Sequence, residues 1–215
     1  MLKELEENDD FTVNDIYKSG LQVYTSLDTD AQEHVENVLE SNEIITNYPD
    51  NPDFQAGITL MDTTNGQIKA IGSGRQQSSN RNDFNYATDI TSQPGSTIKP
   101  ILDYAPAIEY LQWSTAHVLV DEPHEYSNGD EFGNFGGTYK GAISMRSALS
   151  SSQSVPAVKA LQEVGLERAE PFAKQLLTLD HEETFQEAYA LGGFDKGVST
   201  KDMAGAYAAF GNGGT

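Results

Sequence analysis

Two short runs of strand-forming residues, Ala56–Met61 and Gln67–Ile71, flank a turn that ends in Asn65-Gly66. Asn-Gly between such runs is a strong hairpin signal, because both residues accept the left-handed backbone of a tight turn. A hairpin alone is marginal in water and has to lay a face on something apolar. The partners come later and carry a different period. From Ser96 onward Ile98, Ile101, Leu102, Ala105 and Ile108 recur at helical spacing. Pro100 is tolerable there only in or near a first turn. Further helices are expected from about Val155 to Val164, stopped by Gly165, then over LERAEPFAKQLLTL, and after a cap at Ser199 or Thr200. Upstream, Leu21–Asp28 alternates apolar and polar residues like a half-buried strand. Asp28 or Thr29 then caps a helix with Ala31, Val35, Val38 and Leu39 on one face. Strands first and mostly helices after predict an α+β or α/β class, not a repeat array.

The best boundary signal is NYPDNPDF, Asn47 to Phe54, rich in Pro, Asn and Asp. We therefore expect residues 1–52 to be a linker or interdomain segment and 53–215 to be the domain. Residues 120–141 read as a long acidic, Gly-rich excursion. The two strands of 56–71 are too few for a stable sheet. Either further strands lie beyond residue 215, or another chain completes the sheet.

Composition removes several function classes. Acidic residues number 33 against 13 basic ones, a net charge of -20. Nucleic-acid binding needs a basic footprint and is excluded. The acidity reads as a solvated surface rather than a dedicated cation site. With no cysteine, disulfides, thiolate catalysis and cysteine-metal sites are excluded. No run approaches the ~18 apolar residues of a membrane span, and no signal peptide is visible. His34, His117, His124 and His181 lack metal-ligand spacing, and the HEE at 181–183 lacks a second histidine. No metal and no cofactor are expected.

One pair carries chemistry. Ser96 and Lys99 stand three positions apart, after Gln93-Pro94-Gly95, where a helix is expected to begin. In a helix both side chains lie on one face. A nucleophilic serine needs its proton removed, and a lysine neutral part of the time can take it. A helix N-terminus and burial would both push that lysine's pKa down, and the same N-terminus offers N–H groups to an oxyanion. The chain has 17 serines and 9 lysines, so one Ser-x-x-Lys is expected roughly by chance and the bare motif is weak. A second piece is the loop Ser152-Gln153-Ser154, where hydroxyls suit proton relay or orienting a substrate amide. The plainer reading is that these serines cap the helix beginning at Val155-Pro156.

Taken together, GLQVYTSLDTDAQ, QAGITLMDTTNGQIKAIGSGR, FNYATDITSQPGSTIKPILDYAPAIEY, MRSALSSSQSVPAVKALQEVG and MAGAYAAFGNGGT resemble the transpeptidase domain of class A penicillin-binding proteins of Gram-positive type. The resemblance runs from about Gly20 onward. It implies an α+β, β-lactamase-like serine-transpeptidase fold, incomplete in this chain because later strands are missing. It implies a DD-transpeptidase that cross-links peptidoglycan stem peptides through a serine acyl-enzyme and is inhibited by β-lactams. Ser96 would be the nucleophile and supply one oxyanion N–H, Lys99 its activator, and Ser152 a proton-relay serine. Gln153 and Ser154 would meet the substrate. The implied location is the extracytoplasmic face of the membrane, with anchoring only through regions absent here.

Two departures accompany the resemblance. Ser-Gln-Ser stands where the family has Ser-x-Asn, so Ser154 replaces an amide that presents paired groups. The family's Lys-Thr-Gly strand is absent, so the chain is expected to be inactive alone. A β-lactamase-like hydrolase and a non-catalytic interaction module of the same fold are the alternative readings.

Overall fold

The computed structural model describes residues 12–18, 20–51, 53–76, 84–179 and 184–214. Residues 1–11 of the expected linker, and the HEE at 181–183, lie outside the described residues.

The hairpin forms as expected. Strands β1 (Ile58–Met61) and β2 (Ile68–Gly72) pair antiparallel, Ile58 opposite Gly72. The turn closes through Asp62, whose carbonyl accepts from Gly66 N at 2.8 Å and whose N–H donates to Gln67 O at 2.8 Å. Two helices flank the chain's start, α1 (Val13–Lys18) and α2 (Thr29–Glu40). Asp28 caps α2 by accepting from Asp30 N and Ala31 N. Val35 and Leu39 of α2 are buried, and a Cβ on Gly72 would meet Leu39 Cδ1 at 2.4 Å, so α2 lies directly on β2.

Leu21–Asp28 is not a strand. It runs as irregular chain beside β2, tied by Ser26 Oγ to Ile68 O at 2.6 Å and by Asp28 N to Lys69 O at 2.9 Å. Its alternation has no continuous ladder to join, because α2 occupies the neighbouring space.

The segment after Ser96 is helical throughout but not uniformly α. Gly95–Ile98 forms a 3₁₀ turn, Pro100–Tyr104 a π turn, and α3 (Ala105–Leu111) follows. Pro100 explains the change. Its ring would clash with the carbonyl four residues before it, that of Ser96. The tighter turn gives that carbonyl to Lys99 N, and the wider turn gives Pro100 O to Ala105 N.

The acidic excursion contains two small ladders that sequence patterning missed. Strand β3 (Val118–Asp121) pairs antiparallel with β6 (Gly141–Ser144), and β4 (His124–Glu125) with β5 (Glu131–Phe132). Helix α4 (Met145–Ser150) leaves β6, and α5 (Ser154–Val164) and α6 (Leu166–Leu176) follow. Helix α5 is the centre of the core, burying Val155, Ala157, Val158, Ala160, Leu161 and Val164. The 3₁₀ turn Glu187–Leu191 packs on it, and α7 (Thr200–Gly211) returns to the hairpin. Ser199 and Asp202 close a reciprocal capping box on α7. Among the described residues no helix is long and apolar enough to cross a membrane.

Candidate active site

Ser96 sits on the exposed outside of the 3₁₀ turn, while Lys99, one turn on, is only 1% exposed. In a 3₁₀ turn residues three apart eclipse, so Ser96 and Lys99 leave the chain on the same side. The buried Lys99 Nζ donates to Ser152 O at 2.8 Å, Ser152 Oγ at 3.3 Å and Ser154 Oγ at 3.5 Å. The fold therefore brings Lys99, Ser152 and Ser154 together from segments more than 50 residues apart. Among the described residues no hydrogen bond holds the Ser96 hydroxyl. Gln153 turns aside, its amide donating to Ser151 O at 3.2 Å.

Burial pulls the Lys99 pKa below that of an ordinary lysine, and Asp103 opposes the shift. Burial, one of the two causes expected from the sequence, is what lowers it here. Asp103 stands one turn further on, fully buried, with neither carboxylate oxygen hydrogen-bonded. Burial raises its pKa well above the usual carboxylate range, and Lys99 opposes that shift. The Tyr104 hydroxyl, also buried and unpartnered, is pushed up by the same burial and by Asp103 and Asp121.

The Ser152 loop is held on both flanks. Ser152 adopts the left-handed region at φ 52° and donates from its N–H to Leu149 O at 2.9 Å. Contrary to the capping expectation, none of these serines caps α5. The N-cap is Gln153, which makes no side-chain cap bond. Asn134 does this from 20 residues away: its Oδ1 accepts from Ser154 N at 2.8 Å and Val155 N at 3.1 Å. Pro156 has no N–H to satisfy, so those two donors complete the first turn. The only sequence signal for Asn134 was its place in the Gly-rich GNFGG, which does not reveal a contact at that distance.

The serine turn is clamped from the other side. Ser92 and Val198 form a two-way backbone bridge, Thr91 Oγ1 donates to Lys196 O at 2.7 Å, and Tyr207 Oη donates to Thr97 O at 2.7 Å. Gly192 meets Gly95 so closely that a Cβ there would lie 2.3 Å from Gly95 N and O. A geometry fixed by so many later residues is the kind that catalysis needs. Chemically, the site offers an exposed hydroxyl one turn before a buried amine of lowered pKa, with the Ser152 and Ser154 hydroxyls hydrogen-bonded to that amine. That suits serine acylation.

The histidines stay outside this arrangement. His117 stacks on Trp113, and His124 Nε2 bonds Gln162 Oε1 at 2.7 Å. Among the described residues no cluster of His, Asp or Glu is fit to hold a metal ion.

Residues 56–215 match the penicillin binding protein transpeptidase domain family. The chain is 45% identical over 220 residues to penicillin-binding protein 1A/1B of Bacillus subtilis, covering all of this chain and 23% of that protein. It is 36% identical over 222 residues to penicillin-binding protein 1A of Streptococcus pneumoniae, covering all of this chain and 30% of that protein. The chain thus spans between about a fifth and a third of these relatives. Its fold superposes on the PonA1 protein from Mycobacterium tuberculosis, solved in complex with penicillin V, with a TM-score of 0.80 at 21% identity, covering 96% of this chain and 55% of that one. The α+β architecture, the serine turn and the matched residues agree: the chain belongs to the penicillin-binding protein transpeptidase family.

Proposed function

We propose that Ser96 is the acylated nucleophile of a peptidoglycan DD-transpeptidase. The observation that carries this reading is the buried Lys99, hydrogen-bonded to Ser152 and Ser154 one turn after an exposed Ser96. Ser96 Oγ attacks the carbonyl of the penultimate D-Ala of a stem peptide, and its proton passes to Lys99. The peptide bond breaks, the terminal D-Ala leaves as an amine, and the Ser152 hydroxyl relays the proton it takes. The ester on Ser96 is then attacked by an amine of a neighbouring stem, forming the cross-link and returning the serine. The Ser96 N–H supplies one oxyanion donor. Ser154 and Gln153 border the path of the substrate amide. A β-lactam would enter by the same attack, its ring amide opening to a stable ester; the PonA1 complex with penicillin V supports this.

In this reading residues 53–215 form part of the transpeptidase domain, residues 1–52 lead into it, and the work is done on the extracytoplasmic side. Activity belongs to a chain of the length of its relatives, with a further segment or chain completing the sheet.

The test is intact-mass detection of covalent penicillin labelling. It is run on the 215-residue chain and on the same chain continued to its relatives' length, each with and without Ser96→Ala. One adduct, lost in Ser96→Ala, is the expected result. Adduct formation followed by rapid turnover would mark a hydrolase instead. No adduct in the folded, continued chain would overturn the catalytic reading and leave an interaction module, as the Ser154 departure would then suggest.

A further inference from the structure

The excursion at 120–141 does more than connect two helices. Asn134 is buried at 7% exposure although Gly133 and Phe135 on either side are less enclosed, Phe135 fully exposed. Its side chain uses both ends. Oδ1 takes the Ser154 and Val155 amides at 2.8 and 3.1 Å, while Nδ2 donates to Asp121 Oδ1 at 2.6 Å and to Thr138 O at 3.0 Å. Asp121, 1% exposed at the end of β3, accepts on its other oxygen from Lys140 N at 3.0 Å. An amide is the side chain that can accept two N–H bonds on one side and donate two on the other. Most buried polar groups find hydrogen-bond partners, and both ends of this amide are satisfied.

We propose that Asn134, held by Asp121, is a positioning residue that sets the Ser152–Ser154 loop against Lys99. The inference rests on the acylation reading above. The path has no gap: β3 fixes Asp121, Asp121 orients Asn134, and Asn134 fixes the backbone of Ser154, two residues beyond the Ser152 carbonyl that Lys99 holds. Neither Asn134 nor Asp121 touches the serine nucleophile. Their effect runs wholly through the loop.

The test uses the continued chain, in three variants: Asn134→Ala, Asn134→Asp, and Asn134→Asp combined with Asp121→Asn. The last exchanges the ends of the pair. The carboxylate now at position 134 would still accept the two amides, and the amide now at position 121 would donate to it while accepting Lys140 N; only the Thr138 carbonyl loses its donor. Two quantities are read: amide hydrogen exchange at Ser154 and Val155, and the second-order acylation rate by a fluorescent penicillin per folded molecule. Asn134→Ala is expected to speed exchange at both amides at least about 10-fold and to slow acylation about 10- to 100-fold, the scale of a small misplacement of a catalytic group. Asn134→Asp alone places two acceptors face to face and is expected to slow acylation as much. The combined exchange reinstates the bond between positions 121 and 134 but not the one to Thr138 O, so it is expected to recover acylation at least about 5-fold over Asn134→Asp alone. A general loss of stability would not be rescued in that pairwise manner.

Unchanged exchange at Ser154 and Val155 in Asn134→Ala would overturn the inference, and so would unchanged acylation or failure of the combined exchange to rescue. If the parent protein takes no penicillin at all, the acylation reading fails. The exchange data then still decide whether Asn134 holds the loop.

Discussion

Gly192→Ala measures how tightly the serine turn is clamped. Gly192 has φ 80°, and a Cβ there would lie 2.3 Å from Gly95 N, 2.3 Å from Gly95 O and 2.4 Å from its Cα. Backbone atoms cannot swing away as a flexible side chain would. Gly66 is the natural reference: its φ is 70°, and a Cβ there would meet nothing within 4 Å. Both substitutions carry the left-handed strain of roughly 1–2 kcal/mol. Both are offset by the ~0.4–1 kcal/mol gained from a stiffer unfolded chain. Those contributions cancel in the difference. What remains is forced displacement in a packed interior, about 1–3 kcal/mol. For a chain of this size that corresponds to a melting temperature lower by about 2–12 °C for Gly192→Ala than for Gly66→Ala. Thermal unfolding of both variants, in the form that binds penicillin, reads the difference. Because Gly95 immediately precedes Ser96, the acylation rate of Gly192→Ala should also fall by about 10²-fold while Gly66→Ala keeps the parent rate. Melting temperatures equal to within about 2 °C, the low end of the expected shift, with equal acylation, would refute the clamp.

Other substitutions probe the buried charges and caps. Burial raises the folded pKa of Asp103 above the ~3.9 of an unfolded aspartate. Stability is therefore full below that pH and declines as pH rises toward the folded value; Asp103→Asn should remove this decline, and urea titrations from about pH 4 to 8 would show the two curves diverging. Lys99 is shifted the opposite way, so acylation should rise with pH along a limb centred below the ~10.4 of a free lysine. Lys99→Arg keeps its proton and should slow acylation at least about 10²-fold with the limb gone, as stopped-flow rates against pH would record. Ser199→Ala opens the capping box of α7 and should lower stability by about 1 kcal/mol in chemical denaturation, with little change in acylation per folded molecule.

What was legible in the sequence was what depends on nearest neighbours. The β1–β2 hairpin followed from Asn65-Gly66, α2 from its cap at Asp28, and α5 from its dense apolar run ending at Gly165. Ser96, Lys99 and the Ser152 loop were legible as separate pieces, and the fold brings Lys99 to that loop. The features that fail share a cause, namely partners far away in the chain. Strand β3 buries only Leu119 and Asp121, too little for patterning to detect. Leu21–Asp28 has the right alternation but no ladder to join. Asp103 looks like a surface residue by type and is fully buried. Asn134 has its meaning only once Asp121 and Ser154 arrive beside it.

The clamp on the serine turn also has a temporal side. Thr91, Ser92, Gln93 and Thr97 are secured by Lys196, Val198, Phe194 and Tyr207, about 100 positions later in the chain. Contacts of such separation form late, because the intervening loop must close first. A ribosome adding about 5–20 residues per second needs roughly 5–20 s to travel from Ser96 to Tyr207. During that interval the hairpin and α2 can assemble from local contacts, while the serine turn waits unfinished. The turn carrying Ser96 is thus among the last parts of this chain to acquire its shape, and a nascent chain halted before Tyr207 would display the serine without the clamp that holds it.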